Sequence, residues 1–278
     1  MTASFGVSNA LKGSRSTLTR MMTTSLLGSM ALVILSGASA AVAAPALGFQ
    51  PNIVHVLTDD QDLTLRSMQA MPQLSALVSK AGGFNFTNAF VATPICCPSR
   101  ASYLSGQYTH NHRTLQNSPA TGCSSAAWRA DSEPKAAAPV LAAAGYTTGF
   151  FGKYLNAYGQ PGAGGGIAHV PAGWERWFGL KGNSRFYNET VSDQGVAKQF
   201  GDDYATSYFT DVVKNESLKW MGSVLGKGKP VFCSIHVPAP HRPATPAPQY
   251  ADDFADEKAP RTPNWCATCT CLRTCCLC

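Results

Sequence analysis

Three short, continuous apolar runs set the layout of the chain: residues 52–58 (Asn-Ile-Val-His-Val-Leu-Thr), 146–151 and 230–237. Each reads as a buried strand of a parallel sheet. Each is also followed by polar groups: Asp59, Asp60 and Asp62 after the first, Lys153 after the second, His241 in Pro-Ala-Pro-His-Arg-Pro after the third. Helical spacing fills the intervals. Pro72 opens a helix with Leu74, Leu77 and Val78 on one face, stopped by Gly82-Gly83. Residues 134–144 form another, ended by Gly145, and Asp202 or Asp203 caps a third carrying Ala205, Tyr208, Phe209, Val212 and Val213. Residues 84–91 are strand-like, and 159–173, rich in Gly and Pro, read as a mobile surface loop.

This alternation predicts an α/β fold with a mainly parallel sheet flanked by helices. Ligands of such sheets bind outside the carboxyl ends of the strands. Asp59 with Asp60, Lys153 and His241 are therefore expected to converge on one crevice.

A fourth chemical segment lies between the first two strands: Pro94-Ile95-Cys96-Cys97-Pro98-Ser99-Arg100, continuing Ala-Ser-Tyr-Leu-Ser-Gly. Pro98 suits the first turn of a helix with Tyr103 and Leu104 facing inward. Cys96 and Cys97 then stand at a helix N-terminus, where free amides and the helix dipole favour an anion such as sulfate or phosphate. Asp59 and Asp60 are hard oxygen ligands suited to Ca²⁺ or Mg²⁺, and two adjacent like charges call for a cation. Taken alone, an Asp-Asp pair is more often a turn or a cap, Arg100 a solvated helix charge, and a histidine in a proline loop a structural residue. His236, inside the third run, reads as a satisfied core histidine, and His110 and His112 as surface or supporting residues.

Together, Cys-x-Pro-Ser-Arg with the trailing Leu104-Ser105-Gly106, Thr-Asp-Asp-Gln-Asp after a strand, Gly-Lys-Tyr-Leu-Asn at Lys153 and Ala-Pro-His-Arg-Pro at His241 resemble the sulfatase family. The likeness is closest to the N-acetylglucosamine-6-sulfatase and arylsulfatase branch. The resemblance implies an alkaline-phosphatase-like fold and a sulfuric ester hydrolase. It implies that Cys96 is oxidised by a formylglycine-generating enzyme to an aldehyde, whose hydrate attacks the sulfur of a sulfate ester. It further implies that Asp59, Asp60 and the modified Cys96 hold Ca²⁺ (or Mg²⁺), that Arg100 steadies the site, and that Lys153 and His241 contact sulfate, His241 also as proton donor. Leu155 stands where many sulfatases carry a histidine after that lysine. The expected substrate is a sulfated small molecule or glycan. The rival readings are a secreted non-catalytic binding protein and a related phosphoryl-transfer hydrolase.

Composition changes this picture at the ends. The chain has 278 residues, 45% of them hydrophobic, enough for one large or two small domains and incompatible with a disordered chain. The net charge of +6 falls partly in the N-terminal segment, and no basic run points to nucleic acid. Lys12, Arg15 and Arg20, then an apolar run over 26–35 and Ala-x-Ala sites, read as a signal peptide over 1–43, too short to span a membrane comfortably. The expected route is secretory, ending outside the cell, in a cell wall or in a lysosome-like compartment, with Asn85, Asn188 and Asn215 as glycosylation triplets. The family-like domain covers 51–263 and is expected to be partial. The later Asp-Asn or Asp-His pair and second lysine of the family are missing, which predicts impaired activity. Residues 264–278 hold six of the ten cysteines. They read as the product of a shifted frame or mis-spliced gene, with a metal-binding or disulfide tail as the rival.

Overall fold

The computed structural model describes residues 50–80, 82–258 and 260–261. The proposed signal segment and the cysteine-rich tail lie outside the described residues. The elements in chain order are β1 (Ile53–Asp59), α1 (Pro72–Lys80), α2 (Cys96–Ser105), α3 (Thr109–His112), α4 (Ala137–Ala143), β2 (Thr147–Lys153), β3 (Arg176–Leu180), β4 (Thr190–Asp193), β5 (Val196–Gln199), α5 (Tyr204–Ser207), α6 (Phe209–Val224) and β6 (Val231–Pro240). They build one mixed six-stranded sheet in the order β1-β6-β2-β3-β4-β5. The pairs β1–β6, β6–β2 and β2–β3 are parallel, and β3–β4 and β4–β5 antiparallel. All three apolar runs are strands, and they are the three neighbours β1, β6 and β2. No helix among the described residues is long and apolar enough to cross a membrane.

Successive side chains of a strand point to opposite faces, so each central strand feeds two cores. Phe150, Trp177 and Phe232 join Trp128, Leu104 and Ala138 on the face covered by α2 and α4. Phe151, Phe178, Val231 and Cys233 join Phe209, Val213 and Met221 of α6 on the other. Between Phe151 and Lys153 only glycine fits: Gly152 has φ +106°, and a Cβ there would come 1.9 Å from the carbonyl oxygen of His236 on β6.

Several expectations are corrected. The strand-like segment 84–91 forms no strand, and Phe84, Phe86 and Phe90 are more than 80% exposed. A strand exists only where its N–H and C=O groups find a ladder, and this segment pairs with none among the described residues. β1 is an edge strand rather than a doubly buried one, with Val54 and Val56 more than half exposed. The helix read through Ala205 to Val213 is two helices, because Tyr208 is extended between them and its hydroxyl donates to the carbonyl of Thr245. Asp203 is the cap, its side chain accepting from the amide of Ala205 at 3.3 Å. The hairpin β4–β5 was not read from the sequence; its turn is Gln194-Gly195, both at positive φ, the geometry of a two-residue hairpin loop.

Glu189, just before β4, is fully buried, and neither carboxylate oxygen has a hydrogen-bond partner. Burial pushes its pKa up from 4.5 to about 7. A carboxyl whose folded pKa is raised takes up a proton on folding. Its contribution is therefore most favourable below pH 4.5 and is lost as pH rises through 7, a change of about 3 kcal/mol. Glu189→Gln is expected to abolish that slope and to raise the denaturation midpoint at pH 8 more than at pH 5. Equal midpoint shifts at the two pH values would contradict the assignment.

Candidate active site

The carboxyl ends of β1, β6 and β2 lie side by side because the strands are consecutive in the sheet and parallel. Asp59 ends β1, Lys153 ends β2, and His241 follows β6 within a turn flanked by the cis bonds Ala239–Pro240 and Arg242–Pro243. α2 delivers the remaining groups. Ile95 is its extended N-cap and Cys96 its first residue; Pro98 has no N–H and the amide of Ser99 donates to the carbonyl of Ile95 at 2.9 Å. The amide of Cys97 donates to Oδ1 of Asn117 at 2.9 Å, an external cap. Arg100 lies four residues beyond Cys96 and so on the same helix face. Leu104 is buried as expected, whereas Tyr103 is 40% exposed and stacks on His55 at 4.6 Å between ring centroids.

Asp59, Arg100 and Lys153 form a buried charge cluster. Lys153 Nζ donates to Asp59 Oδ2 at 2.5 Å, and Arg100 donates to Oδ1 at 3.2 Å. Ser184 Oγ also donates to Oδ2, at 2.5 Å. Burial pushes the Asp59 carboxyl up, but Arg100, Lys153 and these hydrogen bonds outweigh it and hold it below the usual carboxylate range. Arg100 donates in addition to the carbonyl of Lys153 at 2.7 Å and lies 3.1 Å from Nδ1 of His236. His236 is fully buried, and burial with the nearby guanidinium pushes its pKa well down. Its Nδ1 lies 3.1 Å from both Arg100 and the carbonyl of Lys153, and its Nε2 lies 2.9 Å from Ser234 Oγ. The cluster therefore holds one anion against two cations and carries a net positive charge.

Beside it Asp60, Cys96 and His241 each bring one ligand atom within 4.8 Å of the others. Asp60 adopts a left-handed conformation, φ 61°, and His241 Nε2 lies 3.6 Å from its Oδ2. A cleft of about 370 Å³ is lined by Asp59, Asp60, Gln61, Cys96, Ser99 and Arg100 among others; Lys153 is fully buried and, like His241, is not part of its wall.

The sulfatase family model matches residues 51–265, more than three quarters of the chain. The chain belongs to the sulfatase family. It is 44% identical over 217 residues to N-acetylglucosamine-6-sulfatase of Capra hircus, covering 78% of this chain and 38% of the relative. To the Homo sapiens enzyme of that name it is 42% identical over 235 residues, covering 84% and 42%. The chain thus spans about two fifths of the length of these curated relatives. Its fold matches BT4656, solved in complex with its substrate D-glucosamine-2-N,6-O-disulfate, with a TM-score of 0.60 at 23% identity, covering 78% of this chain and 40% of that one.

In this sulfatase chain the disulfide settles which cysteine of the motif is available. Cys97 is bonded to Cys123, 26 residues away, which ties the start of α2 to the following loop. The free thiols among the described residues are Cys96, half-buried at the cleft, and Cys233, buried in the core, where desolvation pushes its pKa up to about 12. Among the described residues, Cys96 alone is both free and reachable.

The donor set suits a divalent cation. Asp60, Cys96 and His241 are already gathered. Asp59 Oδ1 accepts only from Arg100, which leaves it a further lone pair. Sequence reasoning missed three supporting groups: Ser184, Asn117 and the contact of His236 with Arg100. Ser184 and Asn117 sit in polar loops with no periodic signal, and His236 was legible only as a core residue.

Proposed function

We propose that this protein hydrolyses sulfate esters, with Cys96 oxidised to formylglycine as its nucleophile and sulfated amino-sugar glycans as its substrates. The carrying observation is the cleft that Cys96 shares with Asp59, Asp60 and Arg100, with His241 within 4.8 Å of the Cys96 and Asp60 ligand atoms and buried Lys153 held on Asp59. Asp60, with Asp59 and the modified Cys96, is the proposed seat of Ca²⁺. Bound there, the cation supplies Lewis-acid polarisation of the ester oxygens and neutralises their charge.

The chain's own groups supply the rest. Lys153 and Arg100 provide net positive charge in a dry setting, where it acts on a sulfuryl oxygen more strongly than it would in water. His241 stands at the rim within reach of both Asp60 and Cys96, the position for handing a proton to a departing sugar hydroxyl. Secretion fits this reading: a formylglycine-generating enzyme acts on the exported chain, and Asn85 and Asn215 are exposed and open to glycosylation.

Mass spectrometry of the Cys96 peptide tests the proposal. Conversion of –CH₂SH to –CHO lowers its mass by about 18 Da, and the modified protein is expected to release sulfate from a 6-sulfated glucosamine. An unmodified thiol in protein from a competent secretory host would leave the non-catalytic binding reading.

A further inference from the structure

The loop joining β3 to β4 touches the catalytic cleft from outside and opens a second recess. Ser184 ties the two together, because its hydroxyl holds Asp59 while the residue also lines a cavity of about 550 Å³. That cavity is bounded by Gln160, Lys181, Asn183, Arg185 and Thr190 among others. Every lining residue is polar or glycine, and none is acidic. Lys181 and Arg185 are both exposed, and neither makes a salt bridge among the described residues. Two unpaired cations share one concave, wholly polar wall.

The loop is held in this shape. The amide of Lys181 donates to the carbonyl of Thr190 at 2.9 Å, that of Gly182 to Tyr158 at 2.8 Å, and that of Asn188 to Gly201 at 2.8 Å. Gly182 has φ +74°, and a Cβ there would come 2.6 Å from the side-chain amide of Gln160 in the wall. Asn183 accepts from the side chain of buried Asn156 at 3.1 Å, and the Oδ1 of Asn156 has no partner. Arg185 acts electrostatically on Glu189, but that carboxyl is buried and forms no ion pair with it among the described residues.

The recess also lies at the correct end of the sheet. Lys153 of β2 pairs with Leu180, the last residue of β3, so Lys181 begins where the catalytic strand ends. β3 stands two strands from β6, about 10 Å across the sheet. The bond from Ser184 in the recess wall to Asp59 in the cleft wall sets the two side by side.

We propose that this recess is a second anion subsite, in which Lys181 and Arg185 bind a further sulfate or carboxylate of the glycan whose ester lies at Cys96. The inference rests on the sulfatase reading for the placement of that ester. A charge-assisted contact of this kind is worth about tenfold in affinity. The site therefore selects polyanionic glycans over singly sulfated ones.

The test is equilibrium binding by calorimetry at fixed salt, with every chain carrying Cys96→Ala so that no ester is cleaved. It compares a 6-sulfated glucosamine with a disaccharide carrying the same 6-sulfate and one further sulfate or carboxylate. The chain unaltered at Lys181 and Arg185 is expected to favour the second by about tenfold. In Lys181→Ala/Arg185→Ala the ratio is expected to fall to about one, and in Lys181→Arg/Arg185→Lys to be retained. Both residues are exposed, so these variants fold. A ratio near one in the chain unaltered at these two positions, or one that survives the double alanine change, overturns the subsite. Binding is read without turnover, so an absence of hydrolysis by the protein retaining Cys96 would count against the sulfatase reading alone.

Discussion

Cys96→Ala is expected to abolish sulfate release, a fall of at least about 10³-fold in kcat, because it removes the nucleophile itself. No other described thiol can substitute. Cys97 is bonded to Cys123, and Cys233 is buried in the core with its pKa raised to about 12. Cys96 is half-buried and makes no side-chain hydrogen bond among the described residues, so the same change should alter stability by no more than about 0.5 kcal/mol. Assay and thermal melt together therefore separate chemistry from folding. Turnover within tenfold of the unaltered protein would remove Cys96 from the mechanism.

Asp59→Asn is expected to have the largest effect on stability, about 3–5 kcal/mol, because it leaves two buried cations without their anion. Lys153 is fully buried and Arg100 nearly so, and both are neutralised by this one carboxylate. The isosteric amide keeps the shape, so any loss reflects charge and hydrogen bonding. Asp59→Asn/Lys153→Met should recover part of the loss by removing one uncompensated cation. Activity should stay low in both variants, since each disturbs the cluster that the proposed function sets against the sulfuryl group. A denaturation midpoint unchanged by the single variant would show that the cluster is not under this electrostatic constraint. Failure of the double variant to regain stability would point to the bond from Ser184, rather than to charge balance, as the main role of Asp59.

The extent to which the site could be read in advance follows from the range of the interactions. The strands ending at Asp59, Lys153 and beside His241 announced themselves because a short apolar run followed by polar residues is a local pattern. The placement of Cys96 and Arg100 on one face of α2 is likewise local, a consequence of helical periodicity. Segment 84–91 shows the opposite case. Its composition suits a strand, yet strand formation depends on a neighbour that composition does not record. Tyr208 interrupts a stretch of good helical spacing for the same reason: its hydroxyl is claimed by the carbonyl of Thr245, 37 residues later.

The order of residues by itself determined the reactive inventory: which cysteine follows a proline-bounded loop into a helix, which acids and bases terminate strands, and the membership in the sulfatase family that these imply. Only the tertiary structure decided the partnerships. It joined Asp59 to Arg100, Lys153 and Ser184 across 41, 94 and 125 residues, locked Cys97 away in a disulfide, and set the Lys181–Arg185 recess beside the cleft. The reason is physical. Periodicity and capping act within a few residues of the chain, whereas burial and charge pairing depend on which strands become neighbours, and that is fixed only when the sheet closes around its two cores.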